Sequence, residues 1–210
     1  MTDATESAVF WEKHYGGLDP RLGTRPNAVL TALLADLAPA TGTALDLGCG
    51  HGGDALWLAG QGWEVTAVDV SRTALDRVAG AAAAAGVGDR VRPRRHDLGE
   101  TFPEGTFDLV TATYFHTPVA LAREDVLRRA LRAVAPGGLL VVIEHASTAP
   151  WSWLAGQDIR YPTPDEVVAS LRLDGSWQVE RSEAPRRTAT GPDGQTATVT
   201  DNVIAVRRVA

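Results

Sequence analysis

Leu45–Asp46–Leu47–Gly48–Cys49–Gly50–His51–Gly52–Gly53 carries the strongest chemical signal in this sequence. A short apolar run enters a cluster of glycines, and a helix-forming run follows. Glycine lets the backbone turn sharply and lets a ligand lie against the main chain. The first amides of the next helix then point at that ligand. Two spacings overlap here. Gly48, Gly50 and Gly53 satisfy the G-x-G-x-x-G of dinucleotide binding, and Gly48, Gly50 and Gly52 give G-x-G-x-G. The loop alone leaves both cofactor classes open, together with a tight turn that binds nothing.

The acids narrow this. Asp46 lies two residues before Gly48. A carboxylate there would repel a pyrophosphate but could pair, directly or through water, with an ammonium. The loop holds no lysine or arginine for a phosphate. Local charge therefore favours a cofactor bearing an amino acid. Asp69 ends the next apolar run, where a carboxylate can accept both hydroxyls of a ribose; its plainer reading is an acid leading into the helix capped by Ser71. Asp97, in His96–Asp97–Leu98, follows a third run. It could accept from an adenine amino group, with the Leu98 amide donating to the ring.

These residues need strands ending on one edge, and the chain supplies them. Pro26–Leu37 reads as a helix with apolar residues at helical spacing. Thr43–Gly48, Trp63–Val68, Arg90–Arg94, Phe107–Thr113 and Leu139–Glu144 read as five strands, with helices expected from Gly53, over Arg72–Ala85 and over Arg123–Val134. Pro136–Gly137–Gly138 reads as a helix stop. In the tail a helix is expected at Pro164–Leu173, then strands Trp177–Ser182 and Ala197–Val206 about a turn at Gly191–Gly194. The expected fold class is α/β: a Rossmann-like three-layer sandwich with a mostly parallel seven-stranded sheet and a C-terminal antiparallel hairpin. One domain covers 1–210. Its N-terminal helices (1–40) cover the cofactor, 43–146 is the binding core, and 147–210 is the substrate side.

LDLGCGHGGDALWLA (45–59), VTAVDVS (65–71), RHDL (95–98), GTFDLVTATYFHTP (105–118) and LRAVAPGGLLVVIEHA (131–146) together resemble class I S-adenosylmethionine-dependent methyltransferases. FWEKHY, RLGTRPN and the terminal DNVIAVRR are similar to the thiopurine and tellurite-resistance-like branch. The resemblance implies that Gly48, Gly50 and Gly52 wrap the methionine part of S-adenosyl-L-methionine. It implies Asp46 on the amino group, Asp69 on the ribose and Asp97 on the adenine, with Cys49, Val70, Leu98, Thr113 and Trp11 along the cofactor. Tyr114 would lie beside the transferring methyl. The Asn/Asp–Pro–Pro–aromatic motif of amino-directed DNA methyltransferases is missing; Thr113–Tyr114–Phe115–His116 stands instead.

Methyl transfer from a sulfonium needs in-line alignment and a dry aromatic pocket. Phe10, Trp11, Tyr15, Tyr114, Phe115, Trp151 and Trp153 are candidate walls, while Trp57, Trp63 and Trp177 read as core or near-core. Tyr114, His116 and His145 are the candidate catalytic residues. Both histidines follow strands that end at the crevice, and either could act as a base. A thiolate would need none. His51 reads as helix-leading. His116, Glu144 and His145 lack metal-ligand spacing, so no metal is expected.

The net charge of −6 disfavours nonspecific nucleic-acid binding; Arg92, Arg94 and Arg95 read as a solvated strand edge. The expected partner is a small-molecule substrate, with no nucleic acid and no membrane. Cys49 is the only cysteine, so no intrachain disulfide can form. Neither a leader-like N-terminus nor an apolar run of roughly 18 residues is seen, and a cytoplasmic setting is expected. Oligomeric state is not legible. Two other readings stay open: a dinucleotide-dependent oxidoreductase, and a cofactor-binding domain without turnover.

Overall fold

The computed structural model describes residues 5–19, 24–152, 154–191 and 193–209. Trp153, Pro192 and part of RLGTRPN lie outside the described residues.

Helix α1 (Glu6–Gly17) starts at Thr5, whose side chain accepts from the Ala8 amide. Asn27 caps α2 (Ala28–Leu37), accepting from the Val29 and Leu30 amides. The helix therefore begins after Pro26 rather than on it. Then come β1 (Thr43–Leu47), α3 (Gly53–Gly60), β2 (Glu64–Asp69), α4 (Arg72–Ala84), β3 (Val91–Arg95), β4 (Phe107–Thr113), α5 (Arg123–Arg132) and β5 (Val134–His145). The tail supplies α6 (Pro164–Leu171), β6 (Trp177–Glu183), β7 (Arg186–Thr190) and β8 (Thr196–Arg208). Thr163 and Glu166 form a reciprocal cap on α6.

The strands run in the order β3-β2-β1-β4-β5-β8-β6. The first five are parallel, and β8 is antiparallel to both β5 and β6. This is the expected seven-strand path with its antiparallel end. An additional short strand, β7, pairs with Thr196–Thr200 of β8, while β6 takes Val203–Arg208. The hairpin is thus longer than Trp177–Ser182 suggested.

Strand β5 also starts earlier than expected. Val134 already pairs with Phe107, and the ladder resumes at Leu139 opposite Leu109. Pro136–Gly137–Gly138 bulges between these pairs instead of ending a helix. A Cβ on Gly138 would lie 2.8 Å from the Asp108 carbonyl oxygen, so only glycine allows the two backbones to approach here.

Alternation along the buried strands splits the core between two faces. Leu139, Val141 and Ile143 of β5 pack with Leu30 and Leu33 of α2 and Leu58 of α3, whereas Leu140 and Val142 pack with Leu127 of α5 and Leu171 of α6. Trp63 is buried; Trp57 and Trp177 are half-buried against the two cores. Strand order reverses between β1 and β4, so their carboxyl ends open a crevice, the place where open α/β sheets bind ligands. Among the described residues no helix is long and apolar enough to cross a membrane.

Candidate active site

The glycine loop leaves β1 at this reversal. Gly48, Gly50 and Gly52 have φ of +67°, +51° and +81°, a region that favours glycine. A Cβ on Gly48 would meet the Phe115 ring at 2.8 Å, and one on Gly50 would meet the Tyr15 hydroxyl at 2.9 Å. The loop is therefore bare because side chains from elsewhere lie directly on it. Gly52 differs. It caps α3 and its missing Cβ faces Val78 at 2.7 Å, inside the core rather than at the cleft.

The cleft beside this loop holds about 80 Å³ of free space, a narrow slot between the loop, the strand ends and α1. Gly48, Asp69, Val70, Asp97 and Leu98 form one side. Ser7, Trp11 and Tyr15 form the lid, at the i, i+4, i+8 spacing of a single helix face. Phe10 falls off that face and packs edge-on against Trp11. Of the N-terminal segment, α1 covers the cleft, whereas Leu30, Leu33 and Leu34 of α2 lie in the core. Trp11 Nε1 donates to Thr117 Oγ1 at 3.3 Å, fastening the lid to the loop after β4.

A second hollow adjoins the first and shares Gly48 and Tyr114 with it. Asp46, Cys49 and Thr113 border it, as do Arg25 and Asp54, which the sequence did not single out. Asp46 is buried. Its Oδ1 accepts from Thr111 Oγ1 at 2.9 Å, while Oδ2 has no hydrogen-bond partner among the described residues. Burial, then the Asp54 charge, pushes its pKa up to about 7. Asp54 accepts from the Asn27 amide, and burial raises it too. This pocket is short of positive charge at Asp46, and an ammonium would supply it.

Asp69 accepts from the Gly50 and Ser71 amides at 3.0 and 2.9 Å. Burial outweighs these bonds and raises its pKa. Each of its oxygens keeps a further lone pair for a ligand hydroxyl. Asp97 accepts from the Gly99 amide and from the Thr5 hydroxyl, so it also anchors the start of α1. His51 is buried with its ring 5.3 Å from that of Tyr15.

The three candidate catalytic residues come together where β4 and β5 end. Tyr114 has φ of +49°, a strained conformation for a non-glycine residue. Its ring stacks on His145 at 4.0 Å, and His116 lies 6.0 Å beyond. Burial, then the Arg123 charge and His145, pushes the His116 pKa down to about 4. Glu144 turns away into the core, where Arg123 and Asn202 hold it.

Two members of this cluster were missed from sequence, Asp201 and Arg187. Asp201 is fully buried on β8; its Oδ2 accepts from Tyr114 Oη at 3.0 Å and from Arg187 Nε at 2.5 Å. A polar Asp201–Asn202 pair interrupts the apolar run Val199–Val206, and that was the available signal. Trp151 packs against the hairpin turn: a Cβ on Gly191 would lie 2.6 Å from its ring.

Residues 44–138 match the model of a family described as a methyltransferase domain. The chain is similar to a 2-heptyl-1-hydroxyquinolin-4(1H)-one methyltransferase of Mycobacteroides abscessus, with 31% identity over 154 residues. That match covers 71% of this chain and 65% of the relative, so the chain spans less than two thirds of the relative's length. A solved structure concerned with conversion of a disulfide bond into a thioacetal group during echinomycin biosynthesis superposes with a TM-score of 0.73, at 26% identity over 97% of this chain and 93% of that one. Geranyl diphosphate C-methyltransferase from Streptomyces coelicolor A3(2), solved with S-adenosyl-L-homocysteine, superposes over the full length of both chains with a TM-score of 0.67; at 16% identity it speaks for the fold alone.

Proposed function

We propose, taking as premise the methyltransferase domain that this chain carries, that it transfers the methyl group of S-adenosyl-L-methionine to a small-molecule acceptor by in-line displacement. One observation carries this reading. Asp46, Asp69 and Asp97, at the tips of three adjacent strands, border two hollows joined at Gly48 and Tyr114. An amino acid and a nucleoside in one molecule would satisfy all three.

S-adenosylmethionine supplies an electrophilic methyl on a sulfonium. The chain's own residues do the rest. Asp46 Oδ2 would pair with the ammonium, and Arg25 lies on the same hollow for the carboxylate. Asp69 would accept the ribose hydroxyls, and Asp97 with Leu98 would take the adenine edge. Cys49, Val70 and Thr113 would line the path. Trp11, Tyr15, Tyr114 and Phe115 would exclude water and favour a sulfonium over bulk solvent. Tyr114 would stand nearest the reacting carbon.

The mycobacterial relative is named for a flat hydroxylated heterocycle, and a small aromatic acceptor is part of this reading. So is a cytoplasmic setting, which fits the lone Cys49.

Calorimetry with S-adenosylmethionine and S-adenosylhomocysteine tests the proposal, with NADH as the control ligand. The expected result is micromolar binding of both sulfur compounds and none of NADH. Asp69→Ala should weaken S-adenosylhomocysteine at least ~10-fold, in line with the roughly 1.5–3 kcal/mol of charged hydrogen bonds. No heat and no thermal shift with either sulfur compound would overturn it.

A further inference from the structure

A hollow with about 340 Å³ of free space lies at the opposite end of the sheet from the glycine loop, room for a small molecule. Arg132 ends α5, Arg172 caps α6, and Arg208 ends β8 beside Val134, where β5 begins. The hollow therefore borders the amino end of β5, whereas the crevice opens at the carboxyl ends of the parallel strands. Leu131 and Leu171, both buried, make up its apolar lining. Trp177, half-buried, adds a flat aromatic wall.

Four arginines line this hollow, in a chain whose net charge is −6. Two of them are already used. Arg128 pairs with Glu124 and Asp125 and donates to the Ser170 carbonyl at 2.9 Å. Arg208 donates to the Val134 carbonyl at 2.8 Å, and the carboxylate of Asp174 offsets its charge. Oδ1 of that carboxylate accepts from the Ser176 amide and hydroxyl, which fixes the turn before β6. Arg132 and Arg172 differ. Among the described residues neither guanidinium has a hydrogen bond or an ion pair.

The helix dipole favours a cation at each helix end, which accounts for one exposed arginine on α5 and one on α6. It does not account for the backbone of Arg172, which stands at φ +54° and ψ +50°. Caps in this left-handed region are ordinarily glycine or asparagine. A longer side chain is strained there, and no bond from the Arg172 guanidinium within the protein offsets that strain. Residues held in this way cluster where ligands are clamped.

An unpaired guanidinium presents a fork of N–H groups that matches the oxygens of a phosphate. An indole face takes an aromatic ring. We propose that this hollow binds a small phosphorylated aromatic molecule, with Arg132 and Arg172 on the phosphate and Trp177 against the ring. The inference stands apart from the methyltransferase reading, because the hollow and the crevice lie at opposite ends of the sheet.

The test titrates the isotope-labelled whole chain with phenyl phosphate in low salt, following the indole N–H signals of the six tryptophans by NMR. Trp177→Phe assigns the Trp177 signal by its loss. That signal alone should shift, saturably, with a Kd of roughly 0.1–1 mM. Arg132→Ala/Arg172→Gly should raise that Kd at least ~10-fold, as expected for lost charged hydrogen bonds. Arg172→Gly alone should melt no lower than wild type, because glycine relieves the cap, and should still weaken binding; the loss then cannot come from unfolding. Arg94→Ala, which removes an exposed arginine of β3, should leave the Kd within about 2-fold. Methyl phosphate should bind at least ~3-fold more weakly than phenyl phosphate, for want of a ring to stack. No shift of the Trp177 signal at roughly 10 mM phenyl phosphate, an unchanged Kd in the double variant, or equal affinity for methyl phosphate would overturn the proposal. So would competition by S-adenosylhomocysteine, which would put the probe in the crevice. A single-stranded oligonucleotide that displaces the probe at micromolar concentration would overturn it too, giving the hollow to nucleic acid.

Discussion

Glu12 on α1 accepts a 2.6 Å hydrogen bond from the hydroxyl of Thr73 on α4. The same carboxylate accepts from the Ser71 hydroxyl at 2.7 Å. Ser71 is the cap of α4 and follows Asp69 by two residues, so the lid helix is clamped beside an acid that lines the cleft. The N-terminus of a helix also favours a carboxylate electrostatically.

The first prediction concerns this clamp. The hydroxyls of Thr73 and then Ser71 hold Glu12 down at about 2, against an ordinary 4.5. A carboxyl with a depressed folded pKa stabilises the fold above its unfolded value, and that stabilisation is lost as pH falls through the folded value. Glu12→Gln should therefore speed amide exchange in α1 by about 5-fold at pH 7, as expected for the loss of roughly 1 kcal/mol. The gap between wild type and variant should shrink between pH 4.5 and 2.

Asp46 behaves in the opposite sense. Its folded pKa is raised to about 7 from 3.8. Such a group adds stability below its unfolded pKa and loses it as pH rises through the folded one. Asp46→Asn should thus raise the melting temperature of the ligand-free chain above pH 7 and leave it nearly unchanged near pH 4. The same substitution should weaken S-adenosylhomocysteine at least ~10-fold at pH 8, because the ammonium loses its carboxylate. In wild type the affinity should fall as pH drops below about 7, and Asp46→Asn should flatten that dependence. Calorimetry across pH 5.5–8.5 checks both.

The missing Cβ of Gly52 faces the core, which makes this glycine a position for stability. Alanine there would hold φ of +81° and press its Cβ against Val78, which is completely buried. Left-handed strain of about 1–2 kcal/mol and overpacking of about 1–3 kcal/mol add to an expected loss of roughly 2–5 kcal/mol. Denaturant melts measure it. Equal stability with lost binding would return Gly52 to the cleft.

The tips of β1 and β2 were legible because each is an apolar run with an acid at or near its end, whereas β3, Val-Arg-Pro-Arg-Arg, carries little apolar signal and was marked chiefly by the acid that follows it. The glycines were legible because nothing else tolerates their backbone. Arg187 and Asp201 were not, because their roles depend on a pairing between β7 and β8 that brings them to Tyr114. Strand β7 reads Arg-Arg-Thr-Ala-Thr and has one partner strand, so its composition lacks the apolar signal of a buried strand. Phe10 looked like a wall because local spacing does not say which face of α1 turns inward. The α1 face became clear only through Ser7, Trp11 and Tyr15 together.

The last prediction concerns Arg123 and Glu144. Glu144 is fully buried at the end of β5, paired with the Arg123 guanidinium and accepting from Asn202 Nδ2 at 3.2 Å. Removing the cation leaves a buried carboxylate with one amide donor. Arg123→Leu should cost roughly 3–5 kcal/mol, the usual penalty for breaking a buried pair. Replacing the acid as well removes the stranded charge, so Arg123→Leu/Glu144→Gln should recover more than half of that loss. Urea melts of the single and double variants supply the cycle. Arg123 also donates from Nε to the Phe115 carbonyl, in the loop that carries His116. Arg123→Leu should therefore weaken S-adenosylhomocysteine as well, by about 3-fold, since Phe115 is released from the Gly48 side of the cleft. A double variant no more stable than Arg123→Leu would show that the arginine acts through packing of its stem rather than through its charge.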